Sequence, residues 1–401
     1  MKKMLKGDAC WSTRKRILGW DLKTAAETLH LPPHRLDRLY ELLDHLRPPR
    51  KRTTVKLWHK LLGELRSMSA ALPGSRGLFS VLQASLSKAD RNRVRLSPAV
   101  HHMLQDFRAV ADLLQARPTR MHELVPTAPT YFGACDACGQ DMGGVWFHTS
   151  PHIVHPPLLW RQSYDRRTQR ALITADRPKG TISISDLELM ALIAHKDVLA
   201  QRHPVAERTL WMATDNRAAL AWSTKGSATS TAARAYLLRY NALHQRQHRY
   251  VATHDHIAGT ANAMADDASR LWHLNDHQLL THFNLYYPQA SPWQLLAVTP
   301  SVNSALTGAL FKQRPAREFH ASAPPPATPH GPAGQCSARP STSTHGVSPT
   351  MPSPSSSKSL PIACVQASSL PAASVSALAQ WRTPCARWDR RTPAWGPRTL
   401  A

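Results

Sequence analysis

"YFGACDACGQDMGGVWF", residues 131–147, is an apolar, small-residue run that a turn interrupts and a second apolar run resumes. Two segments of strand character, "TAPTYFGACDAC" and "GGVWFHTS", flank the turn, so the stretch reads as a β-hairpin. Asp136 lies inside the first strand, among Ala134, Cys135, Ala137 and Cys138. A carboxylate in such a place has to be paired, neutralised or bound to a metal. What compensates Asp136 decides both fold and function.

Downstream of the hairpin the pattern alternates. "LLWRQSY" reads as a third strand, and "SISDLELMALIAHKDVLAQR" as a helix with Ser183 and Ser185 as alternative caps. "RTLWMATD" is a short continuous apolar run ending in an acid, the pattern of a buried parallel strand. Two helices follow, the first stopped by Gly226, then the strand "HRYVATHDHIAG" and the helix "ANAMADDASRLWHL". The order βββ, α, β, αα, β, α predicts an α/β domain.

Upstream, "HLPPHRLDRLYELLDHL" predicts a helix opened by Pro32 and Pro33, with Leu36, Leu39, Leu42, Leu43 and Leu46 on one side. Residues 53–118 predict further basic, amphipathic helices broken at "PGSRG". From about residue 315 the chain is rich in Pro, Ser, Ala and Thr, a composition that predicts disorder.

The 401 residues carry 50 Lys and Arg against 26 Asp and Glu, a formal charge of +24, which points to a polyanionic partner, most often nucleic acid. The excess is uneven: 24 basic against 11 acidic residues in 1–125, 16 against 13 in 126–300, and 10 against 2 in 301–401. No run approaches the roughly 20 apolar residues of a membrane span. Six scattered cysteines and the lack of an apolar leader predict an intracellular, reducing setting, cytoplasmic or nuclear.

In the near-neutral middle, four acids sit at structural junctions: Asp136 in the first strand, Glu188 early in a helix, Asp215 ending the buried strand and Asp266 in the last helix. Strand ends and helix faces of an α/β sheet converge on one point. Carboxylates gathered there repel unless hard divalent cations sit between them. Mg²⁺ takes such oxygen ligands, and two ions about 3.5–4 Å apart stabilise the attacking and leaving oxygens of a phosphodiester displacement.

"TYFGACDACGQDMGGVWF", "ISDLELMALIAHKDVL", "LWMATDNRAALAWSTKGS" and "HDHIAGTANAMADDASR" resemble, in order, spacing and flanking residues, the four acidic motifs of the ribonuclease H domain of retrotransposon Pol polyproteins. The "ADDASR" ending is similar to retrotransposon versions in particular. The resemblance covers 126–275. It implies a ribonuclease H-like mixed five-stranded sheet flanked by helices, to which composition and spacing add the preceding helical region and the disordered C-terminal tail. It also implies an RNA–DNA hybrid as substrate, two Mg²⁺ or Mn²⁺ ions as cofactor, and Asp136, Glu188, Asp215 and Asp266 as the catalytic, metal-binding acids. Residues 1–50 are similar to a reverse-transcriptase thumb, and 51–125 to a connection region; 276–314 are read as an extension and 315–401 as the tail.

Two features depart from the family. The loop "IAGTAN" before the last acid lacks the histidine of cellular members, and His256 falls in the preceding strand. No aromatic-x-Asp-Asp polymerase hairpin occurs, which predicts that Met1 starts downstream of the polymerase site. The competing reading is a nucleic-acid-binding relic that does not cut.

The individual residues also have plainer readings. "SDLE" fits a capping box that would occupy Glu188, unless Ser183 is the cap and Asp186 its partner. Asp215 is a candidate helix cap as well as a ligand. Asp266 shares a helix face with Asn262, whereas Asp267 rotates away. Cys135 and Cys138 read as small core residues rather than zinc ligands. Basic residues of "RQSYDRRTQR" (161–170), with Arg234, Arg239, Gln245 and Arg246, read equally as phosphate contacts or as solvated faces.

Overall fold

A computed structural model describes residues 12–150, 155–228 and 232–313. The expectations for residues 1–11 and for the Pro- and Ser-rich stretch 315–401 fall outside the described residues.

The first region opens on β1 (Arg14–Ile17), β2 (Trp20–Lys23) and β3 (Thr28–His30), an antiparallel meander. Four helices follow: α1 (Pro33–Asp44), α2 (Val55–Ser69), α3 (Ser80–Ser87) and α4 (Pro98–Ala116). Between them, β4 (Arg52–Thr54) pairs with β5 (Arg93–Arg95), and β6 (Thr119–Arg120) adds to β3. Thr54 and Ser97 cap α2 and α4 with their hydroxyls, and Pro33 opens α1. The five leucines predicted on one side of α1 are all buried, against Trp58, Leu61 and Phe107.

The second region is a six-stranded sheet. Its strands are β7 (Tyr131–Ala137), β8 (Asp141–His148), β9 (Leu158–Ser163), β10 (Thr209–Thr214), β11 (Val251–His256) and β12 (Gln294–Leu296), in the order β11-β10-β7-β8-β9-β12. β7, β8 and β9 are antiparallel; β10 runs parallel to β7 and β11. This is the ribonuclease H-like arrangement, corrected in one respect: β12 adds a sixth strand, parallel to β9. It comes from "PWQLLAV", a run too short to show a period.

Helices α5 (Arg166–Ala171), α6 (Ile184–Arg202), α7 (Arg217–Lys225) and α8 (Ala233–His248) follow in chain order. Gly226 ends α7 in the left-handed conformation, with φ of 63°. Then come α9 (Ala263–Arg270), α10 (Asp276–Tyr286) and α11 (Pro300–Leu310). α6 has no solvated face over most of its length: Asp186 through Leu199 are all buried. It packs with α8 and α11 on one side of the sheet, against Tyr131, Cys135 and Trp146. α9 and α10 cover the other side, against Val145 and Leu159.

The two regions meet along α8, whose Ala242 and Leu243 join the core of the first. Asp106 of α4 accepts two hydrogen bonds from Arg239 of α8, one of them 2.8 Å long. Glu123 accepts from Arg246 at 3.1 Å and from Arg249 at 2.9 Å. Arg239 and Arg246 are therefore neither solvated nor free for phosphate: they are buried and spent on acids of the first region.

Candidate active site

Each acid is delivered by a simple element. β7 and β10 are adjacent and parallel, so their C-terminal ends lie side by side, and Asp136 near one end meets Asp215 just past the other. Glu188 arrives from the second turn of α6, which crosses β7. The three carboxylates offer ligand oxygens all within 4.8 Å of one another. Asp136 and Glu188 are buried, and Asp215 is half-buried.

The ambiguities around these residues resolve. Ser183 caps α6: its hydroxyl accepts from the Asp186 backbone N–H, and Asp186 accepts from the Ser183 N–H at 2.9 Å. Glu188 is thereby released from the capping box, and its Oε2 is buried without a hydrogen-bond partner. Asp215 is not the cap of α7; Asn216 is, accepting from the backbone N–H groups of Ala218 and Ala219. Asp215 keeps its carboxylate for the site.

Asp266 stands apart from the trio. Its side chain is 42% exposed and pairs with Arg270, one turn on, at 2.7 Å. Burial raises its carboxyl, Arg270 acts the other way, and the charges of Asp136 and Asp215 add to the rise. Asp267 is engaged elsewhere, accepting from Tyr287 Oη at 2.8 Å with His282 Nε2 at 3.0 Å.

Electrostatics set the trio's character. Burial, then the charges of Asp136 and Asp215, pushes the Glu188 carboxyl up to about 9. Burial and Asp136 also raise Asp215, with His256 and Arg270 acting the other way. Among the described residues no lysine or arginine forms an ion pair with Asp136, Glu188 or Asp215. An all-oxygen donor set, mutually repelling and with one buried oxygen unpartnered, fits a hard divalent cation.

Three neighbours carry no role in the motif reading. Ser269 Oγ donates to Asp136 Oδ2 at 2.7 Å. Arg270 holds Asp266, and His256, the last residue of β11, places Nε2 3.1 Å from the Asp215 carbonyl oxygen. The signal for the first two lay in the final Ser-Arg of "ADDASR".

Other expectations find a place. Cys135 is a buried free thiol, and Cys138 lies just beyond the end of β7. Arg161 is not a phosphate contact, since it is bonded to the carbonyls of Leu271 and Leu274 and to Asp276. Asp165 caps α5, and Arg167 lies over the Phe311 ring. Arg234 sits over Trp222 and 3.9 Å from Asp186. Gln245 bonds the Tyr250 carbonyl.

No protein-family model matches the chain, and no curated protein matches it. Among solved structures it is similar to the foamy viral protease-reverse transcriptase in complex with RNA/DNA hybrid, at 10% identity and a TM-score of 0.26, covering 63% of this chain and 30% of that one. It is similar also to that protein in complex with dsDNA, at 11% identity and a TM-score of 0.27, covering 63% and 46%. The dRH form in complex with ds DNA gives 12% identity and a TM-score of 0.24, covering 62% and 38%. The chain thus spans less than half the length of each.

Proposed function

We propose that this chain is a retroelement-derived ribonuclease H that hydrolyses the RNA strand of RNA–DNA hybrids with two Mg²⁺ or Mn²⁺ ions. The observation that carries the reading is the convergence of Asp136, Glu188 and Asp215 with no lysine or arginine paired to them among the described residues. Such a trio costs stability and is retained for what it binds.

In this reading Asp136, Glu188 and Asp215 hold the divalent ions, with Asp266 a further ligand once it leaves Arg270. Divalent ions held there would activate a water for attack on the phosphorus and stabilise the leaving 3′ oxygen of the phosphodiester. The protein's own contribution is to fix the carboxylates on rigid strand ends and a buried helix. His256, beside Asp215, is placed to steady the β10–α7 turn through its backbone carbonyl. The net charge of +24 favours a polyanionic substrate, and the 2′-hydroxyl distinguishes RNA from DNA. Residues 1–125 fit a thumb- and connection-like support in the same proposal.

The second reading, a nucleic-acid-binding relic, draws on one observation: Asp266 is turned to Arg270 rather than into the trio. A labelled hybrid incubated with the chain and titrated Mg²⁺ or Mn²⁺ separates the two. Metal-dependent cleavage of the RNA strand, lost in Asp136→Asn, supports the nuclease. Hybrid binding without cleavage at any metal concentration supports the relic.

A further inference from the structure

We propose that Ser269 is a positioning residue that locks the Asp136 carboxylate in orientation for a divalent cation; this rests on the metal-binding reading of the trio. Ser269 is fully buried on α9, one turn beyond Asp266. Its Oγ lies 2.7 Å from Asp136 Oδ2 and 3.1 Å from the Asp266 carbonyl oxygen. The hydroxyl has one proton, and the nearer, charged acceptor takes it.

The serine is itself held in place. Its carbonyl accepts from Trp272 Nε1 at 3.1 Å, with Cys138 Sγ at 3.8 Å. On the opposite side stands Gly143, the register partner of Asp136 across the hairpin. A Cβ at Gly143 would fall 2.6 Å from the Ala268 carbonyl carbon and 2.8 Å from the Ser269 nitrogen. Glycine there lets the α9 backbone lie directly on β8, and this brings the hydroxyl within reach of the strand carboxylate.

An ionised carboxylate has about four lone-pair sites. One of them engaged by Ser269 fixes the plane and leaves the others for an ion. Partners that orient a ligand in this way change metal affinity by about 10–100-fold when removed.

The test uses the full chain and two variants, Ser269→Ala and Ser269→Cys; the second keeps the side chain's shape with only a weak donor. Mn²⁺ binding is measured by isothermal titration calorimetry, and folding by circular dichroism and thermal melting without metal. The expected result is a folded variant whose Mn²⁺ dissociation constant rises about tenfold, with half-activation of hybrid cleavage displaced to higher Mn²⁺ by the same factor. Ser269→Thr, which restores a hydroxyl, is expected to recover much of the affinity. Folded variants that bind Mn²⁺ within twofold of wild type overturn the proposal. So does failure of both Ala and Cys variants to fold, which would make the hydroxyl a packing element. A wild-type chain that binds no Mn²⁺ overturns the metal reading itself, a result separate from either.

Discussion

The molecule buries two sets of acids and treats them in opposite ways. At the seam between the regions, Asp106 and Glu123 are almost wholly inaccessible, and each is answered by arginine: Arg239 for the first, Arg246 and Arg249 for the second. At the sheet's C-terminal ends, Asp136 and Glu188 are nearly as inaccessible, yet they face each other and Asp215 with no paired cation among the described residues. Burial of a charge is tolerable when hydrogen-bonded counter-charge replaces water. The seam meets that condition from within the chain. The trio has no such counter-charge among the described residues: Ser269 donates to Asp136, and Glu188 is pushed towards its neutral form.

The contrast breaks most visibly in activity. Asp215→Asn is expected to lower hybrid cleavage by at least about 100-fold, read as initial rates at saturating Mg²⁺. A rate within tenfold of wild type would make the trio dispensable and place both acid sets in the structural class.

Next is the seam. Asp106→Ala leaves the Arg239 guanidinium buried without its partner, and the expected loss is about 3–5 kcal/mol of stability, measured by urea denaturation. A loss under about 1 kcal/mol would mean that water reaches the seam.

The trio is expected to respond with the opposite sign. In metal-free protein, Glu188→Gln removes an acid that burial and the neighbouring charges force to hold its proton, and should raise stability by about 1 kcal/mol while abolishing tight Mn²⁺ binding. Melting curves with and without Mn²⁺ check both halves.

The last test is a pH slope. Glu188 is held up to about 9 in the native state, against an ordinary value of 4.5. Between those values the native protein keeps a proton that the unfolded chain has released, so metal-free stability falls as pH rises from about 4.5 towards 9. Asp141, pushed up to about 6 by burial, adds a slope of the same sign at the acid end of that range. Glu188→Gln should flatten the upper part, and saturating Mg²⁺ should cancel it. Thermal melts at half-unit pH steps read the slope directly.

What the sequence disclosed follows the same division. The trio was legible because its parts are local: an acid in an apolar strand, an acid ending another, a glutamate early in a helix. The cap at Ser183 was one of two alternatives, and only the backbone path into α6 separated them. The seam was not legible. Arg239 and Arg246 read equally as phosphate contacts or as a solvated helix face, and their partners lie 133 and 123 residues away; no periodicity encodes such a pairing. β12 was hidden for a related reason: its three residues become a strand only where β9 offers a ladder.

That last strand has a practical consequence. The motifs suggest a domain ending near residue 275, yet Gln294–Leu296 pair with Leu158–Trp160, while Phe283 and Trp293 roof Val145 and Leu159. A fragment cut at 275 would present β9 as a bare edge, with unpaired N–H and C=O groups beside uncovered apolar side chains. Such a strand is a template for self-association. Insolubility of the short fragment would then report a missing lid on the sheet, with the acids of the trio having no part in it.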